Sequence, residues 1–121
     1  MEYTFSEKYK NNVILEKTFK FSIGIVLYAE QLEEKRKYVL SRQILKAGTS
    51  IGANAKEAQN AESTADFIHK MKIALKEADE TEYWLFLCEA ISHYPDCKHL
   101  LEELKGILKI LNKIISSSKR R

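Results

Sequence analysis

Apolar residues recur at alternating intervals of four and three along most of the chain. Because 3.6 residues complete a helical turn, this spacing places them on one stripe of an α-helix, and such a stripe packs against other helices. The stripe residues of four successive segments are Ile14, Thr18, Phe21, Ile25, Tyr28 and Leu32; Leu40, Ile44, Ala47, Ile51, Asn54, Ala58 and Ala61; Phe67, Met71, Ala74, Ala78, Thr81, Leu85 and Cys88; and Leu100, Leu104, Ile107, Leu111 and Ile114. The pattern predicts an all-α chain, since strands repeat every two residues.

Polar and helix-breaking residues separate the four segments. Residues 33–37 are all charged, Ser63 can cap a helix whose first turn holds Asp66, and Pro95 is the only proline. We therefore predict four helices, over about residues 10–34, 38–61, 64–92 and 97–117. The connectors are short, so consecutive helices should be neighbours. The predicted fold is an antiparallel up-down-up-down four-helix bundle, a single domain over residues 1–121.

The first and third predicted helices carry more apolar residues than one stripe needs. The surplus residues are Phe19, Ile23, Leu27, Tyr83, Trp84 and Phe86. A lone bundle leaves them in water unless an unusually wide core takes them in, whereas a subunit interface buries them. We favour the interface and expect these residues to contact another copy of the chain.

A run of small residues, 47–55, lies inside the second predicted helix. Gly48 and Gly52 each cost a helix about 1 kcal/mol relative to alanine, so we expect a neighbouring helix backbone to approach closely there. The run has no Gly-Lys-Ser/Thr ending and follows no strand, which excludes a phosphate-binding loop. Asn54 falls on the apolar stripe, where its amide is expected to find buried partners and fix the register.

Positive charge is concentrated in the last segment. Residues 95–121 hold seven Lys and Arg against three Asp and Glu, whereas residues 64–94 hold three against six. In the predicted topology Lys8 and Lys10 approach Lys113 and Lys119, which makes one end of the bundle basic. This excess either contacts nucleic acid or an acidic partner, or it complements the helix macrodipole.

The chain has no recognisable catalytic apparatus. Cys88, His93, Cys97 and His99 have no zinc-ligand spacing, and no helix carries the Glu-x-x-His motif of a di-iron bundle. No nucleophile, base and orienting group are visible as a set. We expect no enzyme activity, no metal, no cofactor and no small-molecule substrate.

The chain also has no recognisable targeting or membrane segment. Residues 1–7 are polar, and the longest apolar stretch, residues 23–29, is far shorter than a membrane span. Two cysteines without a secretion signal indicate reduced thiols. We expect a cytoplasmic protein that does not contact a membrane.

Several short strings match, in order, those of a known bacterial family. They are residues 12–18, 40–43, 48–54, 57–58, 63, 65–67, 74–78 and 80–85. The chain resembles the four-helix bundle family named after proteins encoded in 23S ribosomal RNA intervening sequences. The accessory variability protein of diversity-generating retroelements is a more distant member. The resemblance covers nearly the whole chain. It implies a homopentamer with a basic surface proposed to bind RNA or DNA, and it supplies no activity, because most members of the family have no established biochemical role.

Two functions follow as hypotheses. The first is a non-catalytic, oligomeric protein that contacts nucleic-acid phosphates without reading bases. The expected contacts are Arg42, Lys46, Lys109, Lys113, Lys119, Arg120 and Arg121. The alternative is a protein-interaction scaffold or accessory subunit without direct nucleic-acid contact, whose lysines keep it soluble.

Overall fold

The computed structural model describes residues 4–120, most of which lie in helices. The helices are α1 (Phe5–Lys8), α2 (Val13–Glu34), α3 (Tyr38–Ala58), α4 (Thr64–Ala90) and α5 (Lys98–Lys119). No strand occurs in this range, and the prediction of an all-α chain is confirmed. Each of the four long helices contains one of the periodic segments, except that Ala61, the last residue of the second segment, lies beyond the end of α3. None of the described helices is both long and apolar enough to span a membrane.

Side-chain caps set the starts of α2 and α4. The Asn12 side chain accepts a hydrogen bond from the Leu15 amide, and the Ser63 hydroxyl accepts one from the Asp66 amide. Each bond satisfies an N–H group that the first turn of a helix leaves unpaired. The Asp66 carboxylate in turn accepts from the Glu62 amide at 3.1 Å, which ties the α3–α4 connector to the first turn of α4.

The start of the chain differs from the predicted helix over residues 10–34. The structure has a separate short helix, α1, and α2 begins only at Val13. Asn11 has a φ of 74°, in the left-handed region, and turns the chain between the two helices. As a result, Phe5 stacks on Phe19 with ring centroids 4.1 Å apart and an interplanar angle of 8°. A four-residue helix is too short to show a period, so the spacing did not reveal it.

The four long helices pack as a ring of neighbours. α2 packs against α3 and α5, and α4 packs against the same two helices, so α2 and α4 occupy diagonal corners. Thr18 lies beside Gly52 and Ile25 beside Gly48. Thr18 precedes Ile25 in α2, whereas its neighbour Gly52 follows Gly48 in α3. The two helices therefore run in opposite directions.

The glycines of α3 make room for α2. A Cβ added at Gly48 would lie 2.8 Å from both Cγ1 and Cγ2 of Ile25, and one added at Gly52 would lie 3.2 Å from Thr18 Oγ1. The close approach expected at this run is therefore present. Side chains of α2, rather than its backbone alone, fill the space.

The apolar stripe of α2 is buried throughout, but those of α3 and α5 drift. In α3 Ala55 is buried instead of Asn54, and in α5 Ile115 is more buried than Ile114. A 3.5-residue repeat shifts by about 20° per heptad on a straight helix, which accounts for the drift. The predicted register role of Asn54 is wrong, because its amide donates to the Ser50 carbonyl of its own helix at 2.8 Å.

Tyr28 joins α2 to the α4–α5 connector. Its hydroxyl donates to the Pro95 carbonyl at 2.8 Å, and the side chain is only 2% exposed. Tyr28→Phe is expected to lower the free energy of unfolding by about 1–3 kcal/mol, because the Pro95 carbonyl loses its donor. Urea unfolding measures this, with Tyr38→Phe, at an exposed position outside both the core and the apolar patches, expected to stay within about 0.5 kcal/mol of wild type. Equal effects of the two substitutions would contradict the prediction.

Candidate functional site

Two lysines from different helices meet near the end of α5. Lys72 of α4 and Lys119 of α5 are both exposed, and the contact with Lys119, together with its positive charge, lowers the pKa of Lys72. Among residues 4–120 the ion pairs are Lys70–Asp66 and Lys98–Glu89, so neither member of the Lys72–Lys119 pair is neutralised by an acid. An anion such as a phosphate would relieve this repulsion.

Further exposed cations lie on the C-terminal half of α5. Lys109 and Lys113 are exposed one turn apart, and the Arg120 guanidinium donates to the hydroxyls of Ser116 and Ser117 at 3.1 and 3.4 Å. These hydrogen bonds orient the guanidinium along the helix. We call Lys72, Lys109, Lys113, Lys119 and Arg120 the basic cluster.

The helix macrodipole accounts for only part of the basic cluster. Its effect falls off within the last turn of a helix, which includes Lys119 and is followed directly by Arg120. Lys113 and Lys109 lie more than one turn before that end. Cations at these positions therefore do not serve the helix end, and they are available to an external anion.

Arg42 and Lys46, also predicted as phosphate contacts, lie away from the basic cluster. Both are on α3, which packs against α2 and α4 and not closely against α5. The pKa of the Glu77 carboxyl on α4 is raised mainly by burial and secondly by the negative charge of Glu80, and the positive charge of Lys46 opposes that rise. Lys46 is thus already near an acid. Arg121 lies outside the described residues.

Lys72 was missed by the sequence analysis. It lies in the acidic segment, residues 64–94, where no local signal marks it as part of a basic surface. The α4–α5 pairing brings it to Lys119. At the same end of the molecule, Lys8 and Lys56 approach the Tyr9 ring, 5.4 and 5.9 Å from its centroid.

Exposed apolar residues form two patches on different helices. The α2 patch consists of Phe19, Ile23, Val26 and Leu27, and the α4 patch consists of Tyr83 and Phe86. Exposure reaches 55% at Leu27 and 60% at Tyr83, so these side chains lie largely in water in the single chain. Trp84, predicted with them, is half-buried against the core, and its indole N–H donates to Glu80 at 3.1 Å.

An apolar groove adjoins the α2 patch. It has a volume of about 350 Å³, and it is lined by Phe5, Thr18, Phe19, Ser22, Thr49, Gly52, Ala53 and Lys56. Gly52 has no side chain to fill it, and the Phe5–Phe19 stack forms one wall. The α2 patch and this groove give one side of the molecule a continuous apolar surface.

The two cysteines belong to the core. Both are buried, and the Cys97 thiol donates to the Leu85 carbonyl at 3.3 Å. Burial raises the pKa of the Cys88 thiol, and it raises the pKa of Cys97 to about 11. Because the thiolate is the nucleophilic form, these thiols are poorly reactive at neutral pH. Within residues 4–120, no three His, Cys, Asp or Glu side chains are grouped to hold a metal ion.

The comparison with known proteins identifies the family. Residues 10–113 match the family described as 23S rRNA-intervening sequence protein. The chain belongs to this family. The resemblance inferred from the sequence is therefore confirmed. Of the basic cluster, Lys72, Lys109 and Lys113 lie within the residues matched to the 23S rRNA-intervening sequence proteins.

A solved structure shows the same fold in a related protein. It is a crystal structure from Bacteroides thetaiotaomicron, described as a protein with unknown function from the S23 ribosomal protein family. The two chains are 44% identical, the alignment covers 84% of this chain and 97% of that one, and the TM-score is 0.79. No curated protein matches this chain.

Proposed function

We propose that this chain is an antiparallel up-down-up-down four-helix bundle that assembles into a homopentameric ring and binds the backbone of RNA or DNA without catalysing a reaction. The observation that supports binding is that none of the five exposed cations of the basic cluster forms an ion pair with an acid among residues 4–120. Lysines act on phosphates as point charges, so the contacts position a strand without reading its bases. The protein would act in the cytoplasm, with both thiols reduced.

The arrangement of the apolar patches supports a ring. The α2 and α4 patches lie on helices at diagonal corners, so they face in different directions. A two-fold dimer buries one patch against its own copy and leaves the other in water. Head-to-tail association places the α4 patch of one subunit on the α2 patch and groove of the next. Closed into a ring, this association buries both patches in every subunit, whereas an open filament leaves one patch in water at each end.

Assembly multiplies the charge available to a nucleic acid. One chain carries a formal charge of +3, so five chains carry +15. Each subunit contributes one basic cluster, and a strand that touches several clusters gains affinity from each. A modest charge per chain is therefore compatible with useful affinity for a polyanion.

The salt dependence of binding tests this function. If each of the five cations of one basic cluster neutralises one phosphate of a single-stranded RNA, the log–log slope of affinity against salt is about −3.5. Raising salt from 50 to 200 mM then weakens binding by about 10²-fold. Fluorescence anisotropy of a labelled 20-nucleotide RNA measures this slope.

Matched charge removals locate the binding surface. Lys119→Ala with Arg120→Ala should bring the slope about 1.4 closer to zero, since two phosphate contacts are lost. Lys35→Ala with Arg42→Ala removes the same charge from the opposite end of the bundle and should leave the slope unchanged. A flat slope, or no binding at 50 mM salt, would overturn the proposal. Recovery of one defined protein partner after nuclease treatment would then favour the scaffold function.

A further inference from the structure

A cavity of about 540 Å³ opens beside the basic cluster, where the end of α3, the start of α4 and the last turns of α5 come together. The lining residues are Ala58, Gln59, Ala61, Ser63, Thr64, Phe67, Lys113, Ile114, Ser117 and Ser118. None of these is acidic, and Lys113 belongs to the basic cluster. The volume lies within the range of small-ligand sites and is large enough for a nucleotide.

The cavity combines an apolar interior with a polar rim. Phe67 and Ile114 are half-buried and pack against the core, and Ala58 and Ala61 leave space beside them. Serine and threonine hydroxyls from α5 and from the start of α4 complete the lining. Ser117 accepts a hydrogen bond from Arg120, so the rim is joined directly to the basic cluster.

These features match the chemistry of a nucleotide in a single strand. Proteins that bind single strands pair a basic surface with aromatic side chains on which unstacked bases lie. Here Phe67 is the aromatic residue, Lys113 lines the same cavity, and Arg120 donates to Ser117 on its rim. Bases inside a duplex remain stacked on one another and cannot enter such a cavity.

We propose that this cavity receives one unstacked nucleotide of a bound single strand, with its base against Phe67 and Ile114 and its phosphate at Lys113 and Arg120. The inference rests on the proposed function, because the basic cluster supplies the path of the strand. It adds a preference for single strands over duplexes. Contact of one base with one aromatic ring raises affinity by about tenfold.

A cavity-filling substitution with a matched control tests this inference. Ala61→Phe places a ring inside the cavity, whereas Ala65→Phe adds the same ring at an exposed position that does not line it. Ala61→Phe should raise the Kd of a 12-nucleotide single-stranded RNA about tenfold while the salt slope stays unchanged. Ala65→Phe should leave both unchanged. Thermal unfolding checks that each variant folds, and Ser118→Phe replaces Ala61→Phe if the latter does not.

A second measurement uses a free nucleotide. AMP titrated into protein labelled at isoleucine methyl groups should shift the Ile114 signal, with Ile91, which does not line the cavity, as the internal control. Strand binding that Ala61→Phe leaves unchanged would overturn the cavity inference alone. An AMP-induced shift without strand binding would support a nucleotide site and overturn the proposed function. The absence of both responses would overturn both proposals.

Discussion

Replacing Ile23 and Leu27 with Glu is expected to reduce the proposed pentamer to a monomer. Both residues belong to the α2 patch, where head-to-tail association would bury two new carboxylates without partners, at a cost of several kcal/mol per interface. The substitutions add no strain to the single chain, because both side chains are exposed there. Light scattering should show that the mass of the particle in solution falls to one fifth of the wild-type value. The remaining mass should be that of one chain, 14.0 kDa.

Val39→Glu is the control for this prediction. Val39 is exposed like Ile23 and Leu27, but it lies outside both patches, near the start of α3. It should leave the mass unchanged. A wild-type protein that is monomeric at micromolar concentration would contradict the ring.

Mixing two monomeric variants distinguishes head-to-tail association from two-fold pairing. One variant carries Ile23→Glu with Leu27→Glu, and the other carries Tyr83→Glu with Phe86→Glu. Each keeps one intact patch, so a head-to-tail interface predicts that the mixture forms a one-to-one dimer and nothing larger. Two-fold pairing of the α2 patch predicts that the α4 variant is already a dimer before mixing.

Gly48→Ala is expected to destabilise the fold although alanine is the better helix former. The added methyl would lie 2.8 Å from Cγ1 and Cγ2 of Ile25, and a β-branched side chain has little freedom to move. Overpacking of this kind costs about 1–3 kcal/mol, which outweighs the gain in helix propensity of about 1 kcal/mol. Gly106→Ala should stabilise the protein by up to about 1 kcal/mol, since nothing lies within 4 Å of the added methyl.

A double-mutant cycle assigns the cost to Ile25. Ile25→Ala alone should lower the free energy of unfolding by about 2–5 kcal/mol, because it leaves a cavity in the core. In that background Gly48→Ala should become stabilising, since the new methyl enters space that Ile25 has vacated. Urea unfolding of the four proteins gives the coupling energy. The same sign for Gly48→Ala in both backgrounds would contradict the packing explanation.

The apolar spacing was sufficient to predict which face of α2 is buried. All six stripe residues of this helix, from Ile14 to Leu32, are buried in the structure. The prediction succeeds because burial of a helix depends on a local period that the sequence displays directly. The same spacing predicted burial less well at Asn54 of α3 and Ile114 of α5, because a rigid 3.5-residue repeat moves off the buried face of a straight helix.

The cations of the basic cluster were only partly visible in the sequence. Lys109, Lys113, Lys119 and Arg120 were predicted from the basic last segment, and they lie on the C-terminal half of α5 and directly after it. Arg42 and Lys46 were grouped with them by charge alone, although α3 holds them elsewhere. Lys72 was absent from the prediction, because its neighbours in the chain are acidic.

The sequence by itself determined the four long helices, the buried stripe of α2 and the family. Each of these depends on short-range spacing or on strings of adjacent residues. The Lys72–Lys119 contact, the opposed directions of the two apolar patches and the cavity beside Phe67 were decided only by the tertiary structure. These features depend on how the helices pair in space, and local spacing carries no information about which side chains of paired helices meet.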